Sequence, residues 1–255
     1  STPDQPNKEN PQSPLWDNTD HVSKIFYRLR SHSILFSKAV TKGASLKRLL
    51  ITRFTTRFAD SKVPPSMHIE LTDACNLKCV YCNNPHFAHP RSMMSDKTFD
   101  NLIQRIKESS IDRMCIGGGE PTMHPKFNEY VIELGKVARI LTMVTNGHWE
   151  NDDTARAILS APVDFIEISI EAGSKDDFET MRIGSNYELI MKNLATLKRL
   201  RAEIRSPSHI NLRLMVRPSQ KGKIEKESTR FWRKYADSVM PQYVLGVKGI
   251  STIED

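Results

Sequence analysis

From Ser66 onward the apolar residues switch repeatedly between a two-residue and a helical period, and this alternation restricts the fold more than any other feature. SMHIEL (66–71) reads as a short strand. Ser95 caps a helix running to about Ser110, and 112–116 is a strand followed by Gly-Gly-Gly-Glu-Pro. A helix over 127–138 leads to the strand ILTMVT (140–145). A helix over 152–159 then leads to a strand over 163–170. A long helix over 187–203, a strand over 209–216, a helix over 225–235 and a last strand over 238–247 complete the pattern. Strands that alternate strictly with helices are expected to be parallel, with right-handed crossovers. Six such units suit an open doubly wound sheet or a curved partial barrel. Both place ligands at the C-terminal ends of the strands.

The chain before this core has a different character. Residues 1–18 are polar, Pro-rich and without a period, which predicts a disordered segment. Residues 19–62 carry apolar residues at helical spacings, with Gly43 as a break, and Val63-Pro64-Pro65 ends the region. The core is expected over 63–255. Ten Lys or Arg and a single acid, Asp60, fall within 21–62, so that segment carries +9 and the rest of the chain −2, giving the net charge of +7. Such a segment can attract nucleic acid, anionic lipid or an acidic substrate, but charge runs of this kind are usually solvated helix faces. No apolar run approaches the roughly 20 residues that span a bilayer, and residues 1–14 lack the apolar stretch of a secretory signal, so the cytoplasm is the expected compartment.

The chemistry-bearing residues lie at strand ends. Cys75, Cys79 and Cys82 occur within eight residues, directly after the first strand. In a reducing compartment such a group reads as a metal or redox site before it reads as disulfides. Thiolates bind iron–sulfur clusters or zinc, and three ligands leave one position open for chemistry. Gly117-Gly118-Gly119-Glu120-Pro121 follows the second strand, where glycines allow close approach to the backbone. It lacks the Gly-Lys-Ser/Thr ending of a P-loop. Thr145-Asn146-Gly147 ends the third strand and Ser169-Ile170-Glu171 the fourth. Four polar groups at the same end of successive strands form the arrangement a cofactor needs.

CNLKCVYC (75–82) resembles the C-x3-C-x2-C pattern of the radical S-adenosylmethionine (SAM) enzymes, aromatic residue included, and GGEP (118–121) resembles their glycine-rich motif. The resemblance runs from about Ser66 to Val247. It implies an α/β fold, a partial (β/α)6 barrel of parallel strands preceded here by a basic helical extension. It also implies that Cys75, Cys79 and Cys82 hold a [4Fe-4S] cluster whose fourth iron chelates SAM. Gly118, Gly119 and Glu120 would hydrogen-bond the methionyl amino group, and Tyr81 would lie near the adenine. Ser169 and Glu171 would reach the ribose or neighbouring atoms, and Arg182 would pair with the SAM carboxylate. A reduced cluster would cleave SAM to a 5′-deoxyadenosyl radical that takes hydrogen from substrate, so no acid–base triad is expected. The implied partners are a low-potential electron donor such as flavodoxin or ferredoxin and a substrate that is a peptide, a sugar or another small molecule. The resemblance is strongest to the SPASM/twitch-type subfamily. However, no cysteine lies beyond Cys115 and the chain stops at Asp255, so the core is expected to be cut after its sixth strand.

The competing reading is a zinc-stabilised module that grips nucleic acid through residues 21–62, with His86 as a fourth ligand. Cys115 reads as a core residue. His86, His89 and His124 read as turn or surface residues, and Met93, Met94, Met143 and Met215 as packing residues.

Overall fold

The computed structural model describes residues 66–86, 91–109, 111 and 113–244. The expected disordered and basic helical segments over 1–62 lie outside them, as do His89 and the side chain of His86. The strands are β1 (Ser66–Glu70), β2 (Lys78–Cys79), β3 (Arg113–Gly117), β4 (Ile140–Thr145), β5 (Phe165–Glu171), β6 (Arg182–Ile183), β7 (His209–Val216) and β8 (Ser238–Tyr243). The helices are α1 (Asp96–Lys107), α2 (Phe127–Val137), α3 (Asp152–Ser160), α4 (Lys175–Met181), α5 (Tyr187–Ile204) and α6 (Lys223–Trp232). The six long strands form one parallel sheet in the order β1-β3-β4-β5-β7-β8. The order never reverses. A doubly wound sheet needs such a reversal, so the winding is that of a partial barrel with β1 and β8 at its edges.

The sequence explains which way each strand faces. In-register residues of parallel strands share a face. Ile69, Ile116, Met143, Ile166 and Ile210 form one row across five strands. All five are buried with helix residues such as Phe99, Leu134, Ile158 and Leu197, so this is the helix-covered outer face. The alternate row is His68, Cys115, Thr142, Phe165 and His209, followed by the Glu167–Asn211–Ser238 and Ser169–Arg213–Met240 rows. This inner face is polar. Cys115 therefore does not belong to the apolar core expected for it: it sits half-buried on the inner face, opposite its neighbour Ile116.

Caps fix the helix starts. Ser95, Asn151 and Asn186 each accept a hydrogen bond from the amide three residues on, and Ser174 with Asp177 forms a capping box. Arg205, at φ 58°, ends α5 in the left-handed region. The sequence pattern did not show α4 or the two-residue strands β2 and β6. Met143 and Met94 pack in the core as expected, whereas Met93 is 49 % exposed. His124 is buried with both ring nitrogens engaged, one with the Met94 carbonyl at 2.9 Å and the other accepting from the Lys126 amide at 3.2 Å. That is the turn role expected of it.

Candidate functional site

The three cysteines lie on the loop between β1 and the segment leading to α1, at the C-terminal end of the barrel. The loop carries its own amide donors. The Leu77 N–H points at Cys75 Sγ (3.4 Å) and the Asn84 N–H at Cys82 Sγ (3.4 Å). The Asn146 side-chain amide, arriving from the end of β4, also reaches Cys75 Sγ at 3.8 Å. Donors aimed at sulfur stabilise thiolate and tune iron–sulfur centres. Burial pushes the Cys79 thiol up to about 11, with the Arg182 guanidinium pulling the other way. A sulfur in such a place carries its negative charge readily only when a metal supplies the compensating charge. The donor set therefore fits an iron–sulfur cluster.

A single zinc ion fits less well. Among the described residues, no three His, Cys, Asp or Glu side chains converge closely enough to share one ion. Tetrahedral zinc, with bonds of about 2.3 Å to each sulfur, requires that convergence. A cluster whose irons are held by separate cysteines does not.

Glycine-rich residues 117–119 brace this loop. The Gly119 N–H donates to the Thr72 carbonyl (3.1 Å) and the Glu120 N–H to the Ala74 carbonyl (2.7 Å). A Cβ on Gly119 would run into the Ala74 carbonyl oxygen and sit 2.6 Å from the Asp73 carbonyl carbon. Gly119 thus lets the cysteine loop lie against the β3 turn. Gly118, at φ 99°, makes the turn itself. Glu120 is fully buried. One of its oxygens accepts from the Thr122 amide and hydroxyl (3.2 and 2.7 Å) and the Thr145 hydroxyl (2.8 Å), and the other accepts from the Asn146 amide (2.7 Å). This carboxylate bolts the β3 turn to the end of β4.

The other expected residues meet in one buried network. Tyr81 donates its hydroxyl to Glu171 at the end of β5. Arg182 is 1 % exposed, and its Nη1 lies 3.9 Å from Glu171. Arg182 also donates to the carbonyls of Ser169 (2.5 Å) and Asn146 (3.5 Å), while its Nε is buried with no partner. Burial pushes the Glu171 carboxyl up to about 7, against the pull of Arg182. Strands β2 and β6 pair antiparallel, setting Cys79 opposite Arg182, so the cysteine loop is laced directly to this network. Asn146 is the residue that the sequence reading left unassigned. It touches Cys75, Asn76 (2.7 Å) and Arg182, and its Asn-Gly context signalled only a turn.

Comparison with known proteins gives the family and the fold. The sequence model of the radical SAM superfamily matches residues 69–212, more than half of the chain. The chain is 24 % identical over 158 residues to a GTP 3′,8-cyclase of Psychromonas ingrahamii, covering 60 % of this chain and 44 % of that protein. It is 26 % identical over 109 residues to the PqqA peptide cyclase of Streptomyces rochei, covering 42 % and 30 %. The chain spans less than half the length of these relatives. Streptococcus suis SuiB bound to S-adenosylmethionine has a similar fold, with TM-score 0.62, 14 % identity, and coverage of 94 % of this chain and 54 % of that one.

Proposed function

The chain belongs to the radical SAM superfamily of enzymes, whose cofactors are a [4Fe-4S] cluster and SAM, and from that premise we propose specific tasks for its residues. Cys75, Cys79 and Cys82 hold the cluster. Gly118, Gly119 and the Glu120 turn receive the methionyl end of SAM, and Tyr81, Ser169, Glu171 and Arg182 border the rest of it. When bound, the reduced cluster supplies the electron that splits SAM and yields the 5′-deoxyadenosyl radical that takes a hydrogen atom from the substrate. The protein's own part is orientation and exclusion of water. The Asn146, Leu77 and Asn84 donors hold the sulfurs, and Arg182 locks the cysteine loop to β5. The polar inner face, with Glu167, Asn211 and Arg213, receives a substrate that is a peptide or another small molecule. The donor is a low-potential flavodoxin or ferredoxin.

The observation that carries this reading is the row of N–H donors aimed at the cysteine sulfurs beside the braced glycine turn. The test is release of 5′-deoxyadenosine by the anaerobically reconstituted protein given SAM and dithionite. Release that disappears in Cys82→Ala, together with its iron and sulfide, is the expected result. Equal release by Cys82→Ala, or bound zinc in place of iron, would overturn the reading.

A further inference from the structure

A cavity of about 370 Å3 lies on the outer wall of the barrel, where the loop after β5 meets the start of α5 and one face of α6. Tyr187, Phe231 and Trp232 line it, and their rings meet nearly edge to face. Phe231 and Trp232 lie 5.1 Å apart at 79°, and Tyr187 and Trp232 lie 6.2 Å apart at 62°. Phe231 and Ile224 leave apolar surface in water, at 36 % and 40 % exposure. The lining holds two carboxylates, Asp177 and Glu227, and no Lys, Arg or His. The Asp177 carboxylate is engaged by Arg217 and by Ser174. Among the described residues Glu227 pairs with no cation.

We propose that this cavity binds an organic cation carried on an alkyl stem: the ammonium or guanidinium of a lysine- or arginine-type side chain. The stem covers Ile224 and Phe231. The cation lies against Tyr187 and the exposed part of Phe231, a ring that already attracts the Lys234 ammonium at 5.6 Å from its centroid, while Trp232 is buried beneath them and Glu227 supplies the counter-charge. An anion would meet Glu227 without a compensating base, and a neutral aliphatic chain would leave the carboxylate unanswered. The cavity is tied to the end of β5 by two hydrogen bonds from its own lining. The Gly173 N–H donates to Ser228 Oγ (2.9 Å) and Trp232 Nε1 donates to the Glu171 carbonyl (3.1 Å). A basic side chain bound here is therefore held directly behind the strand end that carries Glu171, outside the barrel's inner face. This inference goes beyond radical initiation and does not depend on it.

The test uses the whole protein without SAM. N-acetyl-lysine amide, its neutral norleucine counterpart and free lysine are titrated while tryptophan emission is followed, with Trp232→Phe as the reporter control. We expect saturable binding of the lysine amide, about tenfold weaker binding of norleucine amide, and a loss of about fivefold or more in Glu227→Gln. Added salt should weaken the cation selectively. Tighter binding of the blocked lysine than of free lysine assigns the site to a peptide side chain, and the reverse assigns it to a free amino acid. Equal affinity for norleucine amide, unchanged affinity in Glu227→Gln, or no saturable binding would overturn the proposal. Glu227 is exposed, so its substitution leaves the fold intact.

Discussion

Replacing Gly119 with alanine should damage this protein more than its single methyl group suggests. Gly119 is not held at a positive φ, so alanine can adopt its backbone conformation and the substitution isolates one effect, the clash. The added carbon meets the backbone of Asp73 and Ala74, which cannot rotate away as a side chain would. Relief requires the cysteine loop to move off the β3 turn. That breaks the Gly119–Thr72 and Glu120–Ala74 hydrogen bonds. Two such bonds contribute about 1 kcal/mol each, and overpacking adds about 1–3 kcal/mol, giving a loss of about 3–5 kcal/mol. For a domain of this size that lowers the melting temperature by about 10 °C. Gly118→Ala is the internal control. Its Cβ meets no backbone but the near end of the Glu70 side chain, Cγ at 2.8 Å and Cβ at 3.0 Å, so its cost is the φ of 99°, about 1–2 kcal/mol, plus the shift of Glu70, with neither bracing hydrogen bond broken. Urea unfolding of both variants, with iron counted after reconstitution, reads the comparison. Gly119→Ala should be the less stable and should bind less iron. If it is as stable as the parent, or more stable than Gly118→Ala, the bracing role is wrong.

Arg182→Ala removes the buried counter-charge of Glu171, which keeps only its Tyr81 donor, and one donor from each of two carbonyls, and should cost about 3–5 kcal/mol in denaturant unfolding. Arg182→Lys should recover only a minor part of this, because one ammonium cannot reach all three acceptors. Cys115→Ala should keep its full iron and sulfide content, since this thiol stands on the inner face of β3 away from the cysteine loop; lost iron would make it a ligand. Burial pushes the Asp237 carboxyl up, but Arg201 and the Ile210 amide outweigh this and hold it below the usual carboxylate range. Its stabilisation is therefore complete above the unfolded carboxylate pKa of about 3.9 and is lost as pH falls through the lower folded value. Asp237→Asn should be about 1–2 kcal/mol less stable than the parent at neutral pH, and unfolding curves in strong acid should converge; a gap that persists there would contradict the assignment.

Much of this architecture is legible before any coordinates. Alternating runs such as IEISI mark strands covered by helices on one face, and Ser95 announces its helix by capping chemistry, as Asn186 does only in the folded chain. Periodicity alone did not choose between barrel and doubly wound sheet, because strand order depends on which crossovers neighbour each other rather than on local pattern; the motif resemblance chose the partial barrel, and the strand order bears it out. Strands β2 and β6 escaped notice because two residues carry no period. At the site, the cysteines and the glycine run stood out by spacing. The tasks of Gly119 and Glu120 did not: the sequence suggests glycines making room for a ligand, and the folded chain has one of them making room for its own cysteine loop. Asn146 was placed at a strand end of the site, but its task was hidden for a related reason, since its partners are brought to it only by the sheet.

The ladder between Cys79 and Arg182 has a consequence for the order in which the molecule assembles. Each long strand of the sheet pairs with the long strand made just before it, so the barrel can be laid down progressively as the chain emerges. The two-residue ladder is the exception, since its halves are separated by all of β3, β4 and β5. Closing so large a loop for so few bonds is entropically late. The Cys79 side of the cysteine loop is then fastened later than the Cys75 side, which the β3 turn already braces. Until then Cys79 lacks the strand opposite it, so iron and sulfide should be taken up more readily by the chain before the ladder closes than after.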